Sequence, residues 1–130
     1  MKATELIIGD WVSCGGTPIR VENIHGDCIN FQHDIPFVQE EFMIDFAEIV
    51  PISLTPEILE KNEFNQVIDT CKIKTYHRKP INVIMFSTPE ITILPEESFI
   101  IKNLKIQYVH EFQHILRLCR MNELADNFKI

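Results

Sequence analysis

The sequence predicts an α+β fold in which a small antiparallel, barrel-like sheet comes first and a helix-covered sheet follows. Three observations predict it: glycine turns between short β-branched segments, a proline-containing helix start in the middle, and an amphipathic segment near the end. We expect residues 1–130 to form a single domain. Residues 1–54 would supply the barrel-like sheet, and residues 55–130 a helix, strands and a C-terminal helix that share one core.

The first part reads as short strands separated by tight turns. The predicted strands are residues 6–12, 19–24, 28–31 and 46–54. Gly15-Gly16 predicts a two-residue hairpin, and Gly26 marks the next turn. Pro51 cannot donate to a strand ladder, so it indicates an edge or a break in the last strand. Short strands with such turns are typical of a small, curled, SH3-like barrel.

A short central helix is predicted to begin at Thr55. The Thr55 hydroxyl can cap the helix, Pro56 fits the first turn, and Glu57 favours the positive end of the helix dipole. The helix is expected to end near Asn62. Three or four strands follow up to residue 100, and the clearest of them are residues 83–86 and 91–94.

The C-terminal helix is predicted over residues 104–120. Its apolar side chains fall on one stripe at 100° per residue: Leu104, Tyr108, Phe112, Ile115, Leu116 and Cys119. We expect this stripe to pack on the sheet. His110 and His114 would then lie on the opposite, exposed face beside Arg117.

Charge and cysteine content limit the class of partner and the compartment. The net charge of −7 argues against nucleic acid and against anionic membranes as the main partner. The sequence starts with no apolar signal segment, and no apolar run is long enough to cross a bilayer. The four cysteines are scattered without a C-x-x-C pair. We therefore expect a cytoplasmic protein with free thiols.

One string resembles the helix of a zinc protease. In His110-Glu111-Phe112-Gln113-His114, two imidazoles four residues apart could bind one Zn²⁺ while Glu111 acts as general base. Catalytic zinc needs a third protein ligand, and Arg117 and Arg120 occupy the positions of the glycine and the third histidine in the extended motif.

Glu123 or Asp126 would have to replace that third histidine, and the spacing favours neither of them. The positive charge of Arg117 one turn from His114 would also oppose a bound dication. We therefore predict that these residues form no catalytic or metal site and that the protein has no cofactor. Zinc held by His110 and His114, with Glu111 as the base, is the alternative.

Three weaker patterns concern metal, nucleic acid and protein binding. A Cys2His2 zinc site could gather Cys14, His25, Cys28 and His33, although the spacing matches no established zinc module. A basic run around Tyr76 could stack a base and hold phosphate, but such a run is more often solvated; it consists of Lys72, Lys74, His77, Arg78 and Lys79. Trp11 and Tyr76 are the candidate partner-binding aromatics.

Three stretches carry a resemblance: residues 6–12, residues 49–64, and the segment Ile106 to His114. On them, the chain resembles a group of short uncharacterised proteins of gut bacteria, often from phage-derived or mobile DNA. The last motif of that group looks like V-H-x-L-Q-N/H-L, and Phe112 departs from it at the leucine position. The resemblance implies that Glu111 and His114 are not obligatory and that the motif serves packing.

The function expected from the sequence is a non-enzymatic protein-binding or adaptor module of mobile-element origin. Exposed strand edges on an acidic surface would serve a protein partner or self-association. A small zinc-dependent hydrolase is the alternative.

Overall fold

The computed structural model describes residues 5–26, 28–32, 43–96 and 104–130. Within them the chain divides into two units, Met1–Ile52 and Ser53–Ile130. Every strand pairing is antiparallel, and helices accompany the strands. The predicted mixed α+β class is therefore confirmed. That both units belong to one domain stays a prediction.

The first unit is a five-stranded sheet with the order β4-β3-β2-β1-β5. Its strands are β1 (Trp11–Cys14), β2 (Thr17–His25), β3 (Cys28–Gln32), β4 (Met43–Asp45) and β5 (Ile49–Pro51). Gly15 and Gly16 join β1 to β2 with φ of 57° and 82°, so the predicted hairpin is confirmed and needs glycine at both positions. The core side chains of this unit are Leu6, Val12, Ile19, Val21, Phe46 and Ile49.

Two predicted strands of the first unit are shortened by polar turns. The strand expected over residues 6–12 begins only at Trp11, because the buried Asp10 carboxylate accepts from the Ile7 amide at 2.9 Å and closes a turn. The strand expected over residues 46–54 is replaced at its start by a 3-10 helix, Phe46–Glu48, which Asp45 caps through the Ala47 amide.

The SH3-like barrel is not confirmed. Among the described residues no ladder joins the edge strands β4 and β5, so the sheet does not close. Residues 33–42, which separate β3 from β4, lie outside the described residues.

In its described residues the second unit carries a five-stranded sheet with the order β10-β9-β8-β7-β6 and three helices. Its elements are α1 (Pro56–Lys61), β6 (Asn65–Asp69), β7 (Ile73–Arg78), β8 (Ile81–Phe86), β9 (Ile91–Pro95), β10 (Leu104–Ile106), α2 (Val109–Leu118) and α3 (Asn122–Asp126). Consecutive strands are neighbours, because short turns join antiparallel strands without a crossover.

Helix α1 begins and ends as the sequence predicts. The Thr55 hydroxyl accepts from the Ile58 amide at 3.3 Å, Pro56 occupies the first turn, and Asn62 is the C-cap. The strands predicted at residues 83–86 and 91–94 are confirmed as parts of β8 and β9.

The C-terminal helix is shorter than predicted and buries a wider face. Residues 104–106 form β10 instead of helix, because they pair with β9 in the register Leu104↔Ile93 to Ile106↔Ile91. The stripe residue Phe112 is fully buried, as expected. Its ring contacts those of Phe64 and Phe128 at centroid distances of 5.5 and 5.8 Å.

The prediction that His110 lies on an exposed face is wrong, since the residue is 6% exposed. Its neighbour Gln113 is also fully buried and donates to the Ala125 carbonyl of α3 at 3.1 Å. Helix α3 packs against α2 through this hydrogen bond and covers Gln113, which a single amphipathic helix would leave in solvent.

Candidate functional site

The structure brings the two histidines of the H-E-x-x-H string together on α2. The rings of His110 and His114 have centroids 5.8 Å apart and stand nearly perpendicular, at 79°. His110 also stacks on Tyr108, with an interplanar angle of 11°. One turn of helix places the imidazoles close together, as the spacing predicts.

Glu111 has a structural role in this helix. Its carboxylate accepts from the Tyr108 amide at 3.0 Å and from the Gln107 amide at 3.2 Å. Tyr108 is the N-cap of α2, so Glu111 supplies the return bond of a capping box. A general base would instead direct its carboxylate toward a metal-bound water.

The side chains proposed to complete a zinc site are used elsewhere or lie apart. Asp126 pairs with Arg117 at 2.7 Å, which ties α3 to α2. Within the described ranges, no three His, Cys, Asp or Glu side chains are grouped so as to hold a metal ion.

The second zinc pattern is not assembled in the described residues. Cys14 pairs in register with Thr17 across one hairpin, whereas His25 and Cys28 face each other across the next. His33 lies outside the described residues. All four cysteines are free thiols, and burial raises the pKa of Cys119.

Two members of the basic run make contacts within the protein. Arg78 donates to the carbonyl of Asn62 and lies 3.4 Å from the Glu63 carboxylate, so its cation faces the negative end of α1. The Nδ1 atom of His77 lies 2.8 Å from the Asn82 side-chain oxygen and 3.3 Å from the Glu96 carboxylate. The three lysines of the run are exposed: Lys72, Lys74 and Lys79.

The two candidate partner-binding aromatics differ in exposure. Tyr76 is 1% exposed, so the prediction that its ring can receive a partner at the surface is wrong. It lies on the sheet face that carries the buried core of the second unit, in register with Val83. Burial raises the pKa of the Tyr76 hydroxyl, and the charges of Glu60 and Asp69 add to the effect. Trp11 is half-buried on β1.

Sequence reasoning missed an apolar edge on the second sheet. Among the described strands β6 lies at one end of this sheet, and all five of its residues are exposed. Val67 is 57% exposed and Ile68 49% exposed. The β6–β7 ladder shifts between Gln66 and Ile68, and the bulge leaves Val67 without a partner residue on β7.

The apolar surface continues from β6 onto the sheet face opposite the core. Ile68 pairs in register with Thr75, and Ile73 pairs with Phe86, so these four side chains share one face. Ile73 is 37% exposed and Phe86 40% exposed. No signal in the sequence distinguishes this exposed set from the buried apolar residues of the same strands.

A polar cavity of about 490 Å³ lies at the C-terminal ends of α1 and α2. We call it the basic cavity, and its charged lining residues are Lys61, Glu63, Arg78, Arg120, Glu123 and Lys129. Four cations face two carboxylates there. A second groove, of about 410 Å³, runs beside β10, where Lys105 and Glu90 form an ion pair at 2.8 Å.

Both helices that end at the basic cavity use the same cap. The Phe64 amide donates to the Leu59 carbonyl after α1, and the Met121 amide donates to the Leu116 carbonyl after α2. These are Schellman caps, which require a left-handed residue one position earlier.

The left-handed positions of these caps are Glu63 (φ 63°) and Arg120 (φ 61°), the non-glycine residues with positive φ in the described ranges. Glycine is usual there, and another residue costs about 1 kcal/mol.

No family model, no curated protein and no solved structure matches this chain. No helix within the described ranges combines the length and apolar character needed to cross a membrane.

Proposed function

We propose that the protein is a non-enzymatic protein-binding module that uses the β6 edge of its second sheet, and that its partner strand comes from a second copy of the chain. The exposed apolar edge of β6 carries the proposal. An edge strand offers unpaired N–H and C=O groups to an incoming strand, and exposed apolar side chains add contact area.

The sequence of β6 suits pairing with itself. Two antiparallel β6 strands centred on Val67 would place Asn65 of each copy opposite Asp69 of the other. No two like charges would then face each other. Val67 of one copy would face Val67 of the other, and Ile68 would face Gln66. Such a two-fold contact uses the same patch on both copies and closes as a dimer.

The expected dimer is weak. Val67 and Ile68 are about half exposed, so burying them contributes about 1 kcal/mol each, or about 4 kcal/mol over two copies. A few main-chain hydrogen bonds add about 1 kcal/mol each. Association costs of at least about 4 kcal/mol offset part of this gain, which leaves a Kd on the order of 1 mM.

Two further parts of the proposal concern the first unit and the origin of the protein. The order β4-β3-β2-β1-β5 and the bulge between Val21 and Asn23 support an SH3-like curl of the first sheet, because a bulge bends its strand. Free thiols support a cytoplasmic location. A mobile-element origin rests on the sequence resemblance alone.

Sedimentation-velocity centrifugation of the full chain from about 10 µM to 1 mM tests the proposal. The chain should shift from monomer to dimer, and Val67→Lys should remain monomeric because an edge lysine opposes pairing. Ile8→Lys is the matched control, since Ile8 is 59% exposed and lies in the other unit. A monomeric parent chain at 1 mM, or equal effects of both lysines, would overturn the proposal.

A further inference from the structure

We propose that the basic cavity binds a small phosphate-bearing anion. The cavity belongs to the second unit alone and does not depend on the β6 edge. It concentrates positive charge on a chain whose net charge is −7. A local excess of positive charge attracts anions even though the net charge of the protein is negative.

The charges around the cavity are not balanced by internal pairing. Among the described residues, Arg78 faces Glu63, whereas Lys61, Arg120 and Lys129 form no ion pair. These three exposed cations repel one another around one cavity, and Glu123 and the negative ends of α1 and α2 offset part of their charge. A bound anion would relieve this repulsion.

The backbone supplies an independent observation. Glu63 and Arg120 occupy left-handed positions in which glycine would be more stable, and both side chains line the cavity. Residues kept in an unfavourable conformation concentrate at functional sites. We infer that Arg120 is retained at its left-handed position for its positive charge in the cavity. Glu63, whose carboxylate lies 3.4 Å from Arg78, does not contribute to anion binding.

The chemistry of the lining selects the class of ligand. A guanidinium offers several N–H donors in a plane, which suits the oxygens of phosphate. Three unpaired cations match an anion with two or more charges better than a single carboxylate. A volume of about 490 Å³ is in the range of small-molecule sites. We therefore expect a phosphate monoester or a diphosphate.

Two glycine variants separate the backbone from the charge. Arg120→Gly and Glu63→Gly relieve the same left-handed strain, and each should raise the Tm of the full chain by a few degrees. They change the cavity charge in opposite directions. Arg120→Gly should weaken anion binding about tenfold, and Glu63→Gly should leave it equal or tighter.

The measurement is titration calorimetry of the full chain with pyrophosphate and with inorganic phosphate, at an ionic strength kept constant with sodium chloride. We expect saturable 1:1 binding that is tighter for pyrophosphate. Lys72→Ala is the control, because this exposed lysine lies outside the cavity and its loss should leave the affinity unchanged.

Three results would overturn the proposal. One is the absence of saturable heat up to about 10 mM pyrophosphate. Another is an equal loss of affinity in both glycine variants, which would assign the effect to the backbone. The third is a loss in Lys72→Ala as large as that in Arg120→Gly, which would indicate general attraction between charges.

Discussion

Replacing Glu111 by alanine distinguishes a helix cap from a catalytic base. The change removes an ionised acceptor from two backbone amides, those of Gln107 and Tyr108, at the start of α2. Losing a capping bond costs about 1 kcal/mol. The carboxylate also interacts with the helix dipole, which contributes about 0.5 kcal/mol.

We therefore expect Glu111→Ala to lower the free energy of unfolding by about 1.5–2 kcal/mol. Glu111→Gln keeps an acceptor oxygen and should cost about half as much. For a chain of this size the alanine variant should melt about 5–10 °C lower. The assay is urea and thermal unfolding followed by circular dichroism.

The matched control is Glu60→Ala. Glu60 is an exposed glutamate on α1, and its replacement should change stability by less than about 0.5 kcal/mol. The capping role would be refuted if Glu111→Ala were as stable as this control or more stable. If Glu111 were kept for catalysis at the expense of folding stability, its replacement would instead raise the free energy of unfolding.

Three further predictions concern Asn62, Tyr76 and two of the cysteines. Asn62→Ala should lower the free energy of unfolding in urea by about 2–3 kcal/mol, because the Asn62 side chain hydrogen-bonds the carbonyl and the amide of Lys129, at 2.7 and 2.9 Å. A loss below about 0.5 kcal/mol would contradict this prediction. Since the pKa of Tyr76 is raised in the folded state, the unfolded chain loses its proton first, and stability should fall as the pH rises above about 10. In Tyr76→Phe the loss of stability above about pH 10 should be smaller, and a pH profile of stability equal to that of the parent chain would contradict this prediction. Iodoacetamide should label the exposed Cys71 well before Cys119, whose pKa is raised by burial; mass spectrometry after timed quenching would show the order.

Local sequence chemistry predicted several elements of the fold. Gly15-Gly16 gave the first hairpin, because few other residues adopt positive φ at both turn positions. Thr55-Pro56 gave the start of α1, because capping depends on neighbouring residues alone. These features require no knowledge of distant contacts.

Contacts between distant parts of the chain determine two features that the sequence pattern did not predict. Residues 104–106 continue the amphipathic pattern of α2, yet pairing with β9 makes them a strand. His110 is buried although the helical wheel places it opposite the apolar stripe, and α3 covers neighbouring Gln113 on that helix. The periodicity of a sequence indicates which face of a helix is apolar, but it does not indicate that a second helix covers the polar face.

The candidate sites were the hardest part to predict. Glu111 stands at the glutamate position of the H-E-x-x-H motif, but a capping box also places a glutamate in the first turn of a helix. The exposed edge at Val67 and the shared cavity of Glu63 and Arg120 depend on strand order and on two helix ends meeting. Neither arrangement leaves a pattern along the chain.

Hydrogen exchange of the β6 amides, read by mass spectrometry at about 10 µM and 1 mM protein, tests the proposed edge contact most directly. Residues 65–69 should exchange more slowly at the higher concentration, because a second strand would bond the outward amides. The β8 amides, which lie between two strands already, should not change. Equal exchange of residues 65–69 at both concentrations would contradict pairing through β6.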